Sequence, residues 1–102
     1  MNISFNIHYK THFGQSLSLE IQQHDSNSYS IFKMSLIDTE SGYWQADIVM
    51  PDSVKTVKYR YSIEDSNKSV KIEEWGDDRQ VNVEGASNHV VFDSWRSASD
   101  PR

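Results

Sequence analysis

Apolar and polar residues alternate along most of the chain. Ile3, Phe5, Ile7 and Tyr9 share one parity, while Ser4, Asn6, His8 and Lys10 take the other. A period of two places one set on each face of an extended strand, so this segment reads as a strand with one wet face. Leu17, Leu19 and Ile21 repeat the pattern against Ser18, Glu20 and Gln22, and Trp44, Ala46, Ile48 and Met50 repeat it against Gln45 and Asp47. Val57, Tyr59, Tyr61 and Ile63, opposite Lys58, Arg60, Ser62 and Glu64, form the longest clean run. Shorter strands are expected over residues 32–36, 70–72, 81–83 and 90–92.

Turn-forming stretches separate these runs: Thr11-His12-Phe13-Gly14-Gln15, Asp38-Thr39-Glu40-Ser41-Gly42, Met50-Pro51-Asp52-Ser53, Asp65-Ser66-Asn67-Lys68-Ser69, Trp75-Gly76-Asp77-Asp78 and Gly85-Ala86-Ser87-Asn88. Turns every 8–15 residues or so suit two stacked antiparallel sheets. No segment carries apolar residues at helical spacing over three turns behind a capping residue, so helices are absent or short. The expected fold is all-β, a sandwich of seven to eight antiparallel strands over residues 1–93. Residues 94–102, polar and ending in Asp100-Pro101-Arg102, read as the start of a linker to a missing domain.

With 102 residues the chain can build one hydrophobic core and no deep cleft between lobes. Fifteen acidic side chains against 10 basic ones give a formal charge of −5, the wrong sign for phosphate-rich nucleic acid or an anionic membrane surface. No cysteine occurs, which excludes disulfides, thiolate metal sites and cysteine nucleophiles. The first residues alternate and carry no basic flank, so no secretion signal or spanning segment is read there, and a cytoplasmic location is expected.

Catalysis lacks a seat. His8, His12, His24 and His89 are scattered without matched carboxylates, so neither a metal nor another cofactor is expected. Glu73, Glu74, Asp77 and Asp78 cluster around Trp75 and Arg79, but a carboxylate pair acting on a glycosidic bond needs a partly dry cleft that a lone small sandwich does not offer. Aromatic rings are plentiful, with 3 Trp, 5 Tyr and 4 Phe. Phe5, Tyr9, Trp44, Tyr59, Tyr61 and Phe92 are assigned to the core by parity or by their apolar runs. Phe13, Trp75 and Trp95 instead fall in a turn, an acidic loop and the polar tail. A ring on a loop beside carboxylates and guanidinium groups is suited to sugars, whose C–H face packs on the π surface while the hydroxyls take polar partners.

In order along the chain, five segments carry a family likeness: Thr11-x-x-Gly14-Gln15, Gly42-Tyr43-Trp44 with Ile48-x-Met50-Pro51, Tyr59-Arg60-Tyr61, Glu74-Trp75-Gly76-Asp77-Asp78-Arg79, and Asp93-Ser94-Trp95-Arg96. Together they resemble a starch-binding domain of carbohydrate-binding module family 20, of the type at the N-terminus of 4-alpha-glucanotransferases. The resemblance implies an immunoglobulin-like sandwich or open-sided barrel and α-1,4-glucan binding at up to two sites. It places Phe13 as a second-site stacking ring, Arg60 where the family has a sugar-binding lysine, and Asp78-Arg79 where it has Asn-Arg. Glu73 stands in the place of a family tryptophan, and a Leu-Gly-x-Trp loop is reduced to residues 23–32 without tryptophan. Trp75 is then the candidate platform and Tyr29 a candidate second ring.

The sequence-based expectation is a noncatalytic module that holds starch, glycogen or maltooligosaccharide near the catalytic domain of a parent glucanotransferase, with Trp75, Arg60, Asp78, Glu73 and Phe13 as the carbohydrate-binding residues. The alternative is a docking sandwich with decayed sugar sites that packs on its catalytic domain or self-associates.

Overall fold

The computed structural model describes residues 1–11, 14–22, 28–38, 40–66, 70–74, 76, 78–85 and 88–95. Nine strands fill them: β1 (Asn2–His8), β2 (Gln15–Gln22), β3 (Tyr29–Lys33), β4 (Ser35–Asp38), β5 (Tyr43–Val49), β6 (Thr56–Asp65), β7 (Val70–Glu73), β8 (Arg79–Asn82) and β9 (Asn88–Ser94). One sheet has the order β4-β5-β1-β9; the other has β3-β2-β6-β7, with β8 also on β6. The pairs are antiparallel as expected except one: β9 runs parallel to β1, because the chain returns to that sheet from the other one and not through a hairpin. No helix occurs among the described residues, and the two sheets form an open sandwich, not a closed barrel.

Side-chain parity explains the stacking. Ile3, Phe5, Ile7, Trp44, Ala46, Ile48 and Val91 project from the first sheet onto Leu17, Leu19, Ile21, Val57, Tyr59, Tyr61 and Ile63 of the second, and all are buried. Facing sheets pack through such alternating positions, which exclude water from both inner faces. The Phe5 and Tyr59 rings meet edge to face at 4.9 Å, an arrangement the aromatic quadrupole favours.

The strand count exceeds the expected seven to eight because the run 32–36 belongs to two strands. Met34 separates them: its N–H donates to the carbonyl of Leu17 in one sheet, after which β4 pairs with β5 in the other. A second difference concerns Phe92, expected in the core yet 71% exposed. In β9 the inward line is His89, Val91 and Asp93, so Val91 enters the core and Phe92 takes the outer parity. Gly42 (φ +74°) closes the β4–β5 turn; a Cβ there would lie 2.9 Å from Lys10 Cγ and 3.2 Å from the Tyr9 carbonyl oxygen, so only glycine suits the position.

Strand β6 is the hub of the second sheet. One side pairs with β2 at Tyr59–Asp65, whereas the other pairs with β8 at Thr56–Tyr59 and with β7 at Ser62–Asp65. Between the two partners the Glu74 N–H donates to the Tyr61 carbonyl at 3.0 Å, and the chain leaves the sheet through Gly76, whose φ of +95° lies in the left-handed region. Glu73, the last residue of β7, lies beside Arg60 at 3.2 Å.

Candidate functional site

On the outer face of the second sheet, register assembles a polar cluster around Arg60. Glu20 of β2 lies directly across from Arg60, Tyr29 comes from the paired β3, and Glu73 enters from β7 one pair along. The Arg60 Nε donates to Glu20 Oε1 at 2.9 Å and Nη2 donates to Glu73 Oε1 at 3.2 Å. The guanidinium carbon sits 4.0 Å from the centroid of the Tyr29 ring, a cation–π stack. The Tyr29 hydroxyl donates to Asp78 Oδ2 at 2.5 Å. Lys71 completes the group with Nζ 2.7 Å from Glu20 Oε2.

Opposite charges pair throughout this cluster. The Glu20 side chain is only 1% exposed; burial pushes its pKa up, but hydrogen bonds from Lys71, Arg60 and Ser62 outweigh burial and leave it below the ordinary carboxylate value. The Tyr29 phenol is pushed up by its hydrogen bond to Asp78, with burial adding in the same direction. For Glu20 the folded pKa lies below the unfolded one, so its contribution to stability is present above pH about 4.3 and is lost as pH falls through the folded value. Accordingly, the midpoint of urea unfolding should fall as pH is taken below about 4. The Glu20→Gln variant should show a shallower acid slope; an identical slope would show that Glu20 does not carry the acid sensitivity.

A second network lies at the inner side of the same region. Tyr59 and Tyr61 both donate their hydroxyls to Asp93 Oδ2 at 2.8 Å. Arg79 Nη1 donates to Asp93 Oδ1 at 3.2 Å, Nε and Nη2 donate to the two oxygens of Glu74 at 2.9 and 2.5 Å, and Nη2 also reaches the Ser94 carbonyl at 2.5 Å. Burial pushes both tyrosine phenols well up, and their bonds to Asp93 add to it. Arg79 thus ties β8, β9 and the acidic loop together from inside, while Arg60 and Asp78 face outward.

Of the residues singled out in the sequence, Arg60, Glu73 and Asp78 come together on one face with Tyr29. Trp75 and Phe13 lie outside the described residues, as does His12. Trp95 packs on Tyr9, ring centroids 5.4 Å apart, against the edge of the core. Glu20 and Lys71 were missed. Their only signal was outward parity on runs whose pairing with β6 the sequence does not specify. A cavity of about 910 Å³ opens elsewhere, between the sheets beside Ile21, Phe32, Ile48, Met50, Val54 and Val57. Its lining also includes Gln22, Ser30, Ser53 and Thr56, and it lies away from the Arg60 cluster.

A cluster of two cations, three carboxylates and a phenol provides fixed donors and acceptors around an aromatic ring. Such a surface can engage a neutral, hydroxyl-rich molecule through charge-assisted hydrogen bonds. Among the described residues no group of His, Asp or Glu is arranged to hold a metal ion.

No protein-family model matches the chain, and no curated protein matches it. Solved structures do share its fold. A glycoside hydrolase family 15 glucoamylase from Hypocrea jecorina superposes with a TM-score of 0.79 at 15% identity, covering 94% of this chain and 17% of that one. A gamma-CGTase from alkalophilic Bacillus clarkii superposes with a TM-score of 0.68 at 16% identity, covering 94% of this chain and 15% of that one. The chain therefore corresponds to a small part of each.

Proposed function

We propose that this chain is a noncatalytic module that binds α-1,4-glucans, in the form of starch, glycogen or maltooligosaccharides. The observation that carries the reading is the outward cluster of Arg60, Glu73, Asp78 and Tyr29, gathered on one face of a sandwich with the fold of a segment found in starch-processing enzymes. In this reading Trp75, adjacent in sequence to Glu74 and Gly76, supplies the ring on which a glucose packs, and Arg60, Glu73 and Asp78 take its hydroxyls. Phe13 is the ring of a second, weaker site. The parent is a cytoplasmic 4-alpha-glucanotransferase, and the module raises the local concentration of glucan at its catalytic domain. A millimolar site, worth about 4 kcal/mol, is sufficient when the tether makes the second encounter intramolecular.

Affinity electrophoresis through gels containing amylopectin tests this reading. The wild-type chain should be retarded relative to a gel without polysaccharide and should not be retarded by soluble cellulose derivatives. Trp75→Ala should migrate with at least about tenfold weaker apparent affinity, the loss expected of one stacking ring, at unchanged melting temperature. Equal retardation of wild type and Trp75→Ala would remove the ring from the site, and no retardation of the wild type would overturn the function.

A further inference from the structure

Strand β9 is an edge of the first sheet, with β1 on one side. The Trp95 N–H donates to the His8 carbonyl, so the odd-numbered residues of β9 turn their amide groups toward β1. The amides of Asn88, Val90 and Phe92 then point the other way, where no strand pairs with them among the described residues. At the C-terminal end the Ser94 carbonyl is taken by Arg79.

Edge strands are normally blunted by charge, brevity or proline. The other edges follow that rule: β3 ends in Lys33, β4 has four residues and ends in Asp38, β7 has four residues and carries Lys71 and Glu73, and β8 has only four residues. By contrast, β9 runs seven residues without proline, and its one carboxylate, Asp93, is turned inward to Tyr59, Tyr61 and Arg79. Its outward side chains include Val90 and Phe92, 55% and 71% exposed.

The sequence of β9 is also complementary to itself. About a two-fold axis at Val91, an antiparallel pairing sets Asn88 opposite Ser94, His89 opposite Asp93 and Val90 opposite Phe92, each twice. Val90 and Phe92 are the residues whose amides face the open side, so they form the hydrogen-bonded pairs of that register. Their side chains meet across the junction on the outer face, an apolar pair of the kind that stabilises neighbouring strands. On the inner side the His89 imidazole faces a carboxylate of the other copy. We propose that two copies of this chain associate through β9, edge to edge and antiparallel about Val91, joining their four-stranded sheets into one of eight strands. The contact is isologous, so it closes as a dimer.

Sedimentation velocity from about 10 µM to about 1 mM should show a species of 11.8 kDa giving way to one of twice that mass. Val90→Lys and Phe92→Glu, each on an exposed position and checked by thermal melting, should each weaken association about tenfold or more. The double variant Val90→Lys/Phe92→Glu should regain most of it, because in this register every lysine faces a glutamate of the other copy. A single monomeric species throughout would overturn the proposal. So would a dimer indifferent to the single substitutions, or a double variant as weak as the singles.

Discussion

Replacing Arg79 with alanine is expected to cost about 3–5 kcal/mol of stability, the penalty of removing one partner from a buried ion pair. The Glu74 side chain is fully shielded from solvent and shares both carboxylate oxygens with the Arg79 guanidinium. Asp93 would also lose its cation while still accepting from two phenols. Two carboxylates in a largely buried region would then have lost the guanidinium that neutralises them. In a domain of this length such a loss lowers Tm by more than about 10 °C. Arg79→Lys should recover only part, since an ammonium cannot span Glu74, Asp93 and the Ser94 carbonyl as the planar fork does. Calorimetry on the three proteins checks this; a fall below about 3 °C for Arg79→Ala would show that the network is not a clamp.

Arg60→Gln is expected to damage glucan binding strongly while keeping the fold. It removes a guanidinium whose hydrogen bonds to a ligand are charge-assisted, worth about 1.5–3 kcal/mol together with the positioning of Tyr29. Affinity for maltoheptaose should therefore fall about tenfold to hundredfold. The chain should still fold, because Lys71 remains 2.7 Å from Glu20 and keeps that buried carboxylate paired; a drop of several degrees in Tm is consistent with one lost partner. Isothermal titration of both proteins with maltoheptaose measures the effect. Equal affinities would remove Arg60 from the site.

Much of the architecture could be read from parity alone. Where one face of a strand is dry and the other wet, a one-residue error would bury the wrong set, so the assignments of Ile3, Phe5, Tyr59 and Tyr61 are strongly determined. Phe92 shows where parity fails: in Val90-Val91-Phe92 both faces carry apolar residues, and only the pairing of β9 with β1 decides which set is inside. The split at Met34 was hidden for the same reason, because a strand that changes sheets keeps its composition.

The site was legible as far as single positions go. Arg60 is outward by alternation, and Glu73 and Asp78 flank a loop tryptophan. Glu20, Lys71 and the contact between Tyr29 and Asp78 depend on which strands lie beside β6, information that local patterning does not contain. Asp93 offered no cue, because with Phe92 assigned to the core it takes the outer parity, and only the pairing of β9 with β1 turns it inward. A carboxylate at inward parity must find donors, and two inward tyrosines with hydroxyls to satisfy are the donors the structure supplies.

Glucan binding at the Arg60 face is tested most directly by following the Arg60 Nε–H resonance and the backbone amides by NMR while maltoheptaose is added, with a cellooligosaccharide of similar length as control. Saturable shifts are expected at Arg60, Tyr29, Glu73 and Asp78 with the α-linked sugar alone. Unmoved resonances at those four residues, up to tens of millimolar sugar on a folded sample, would contradict it.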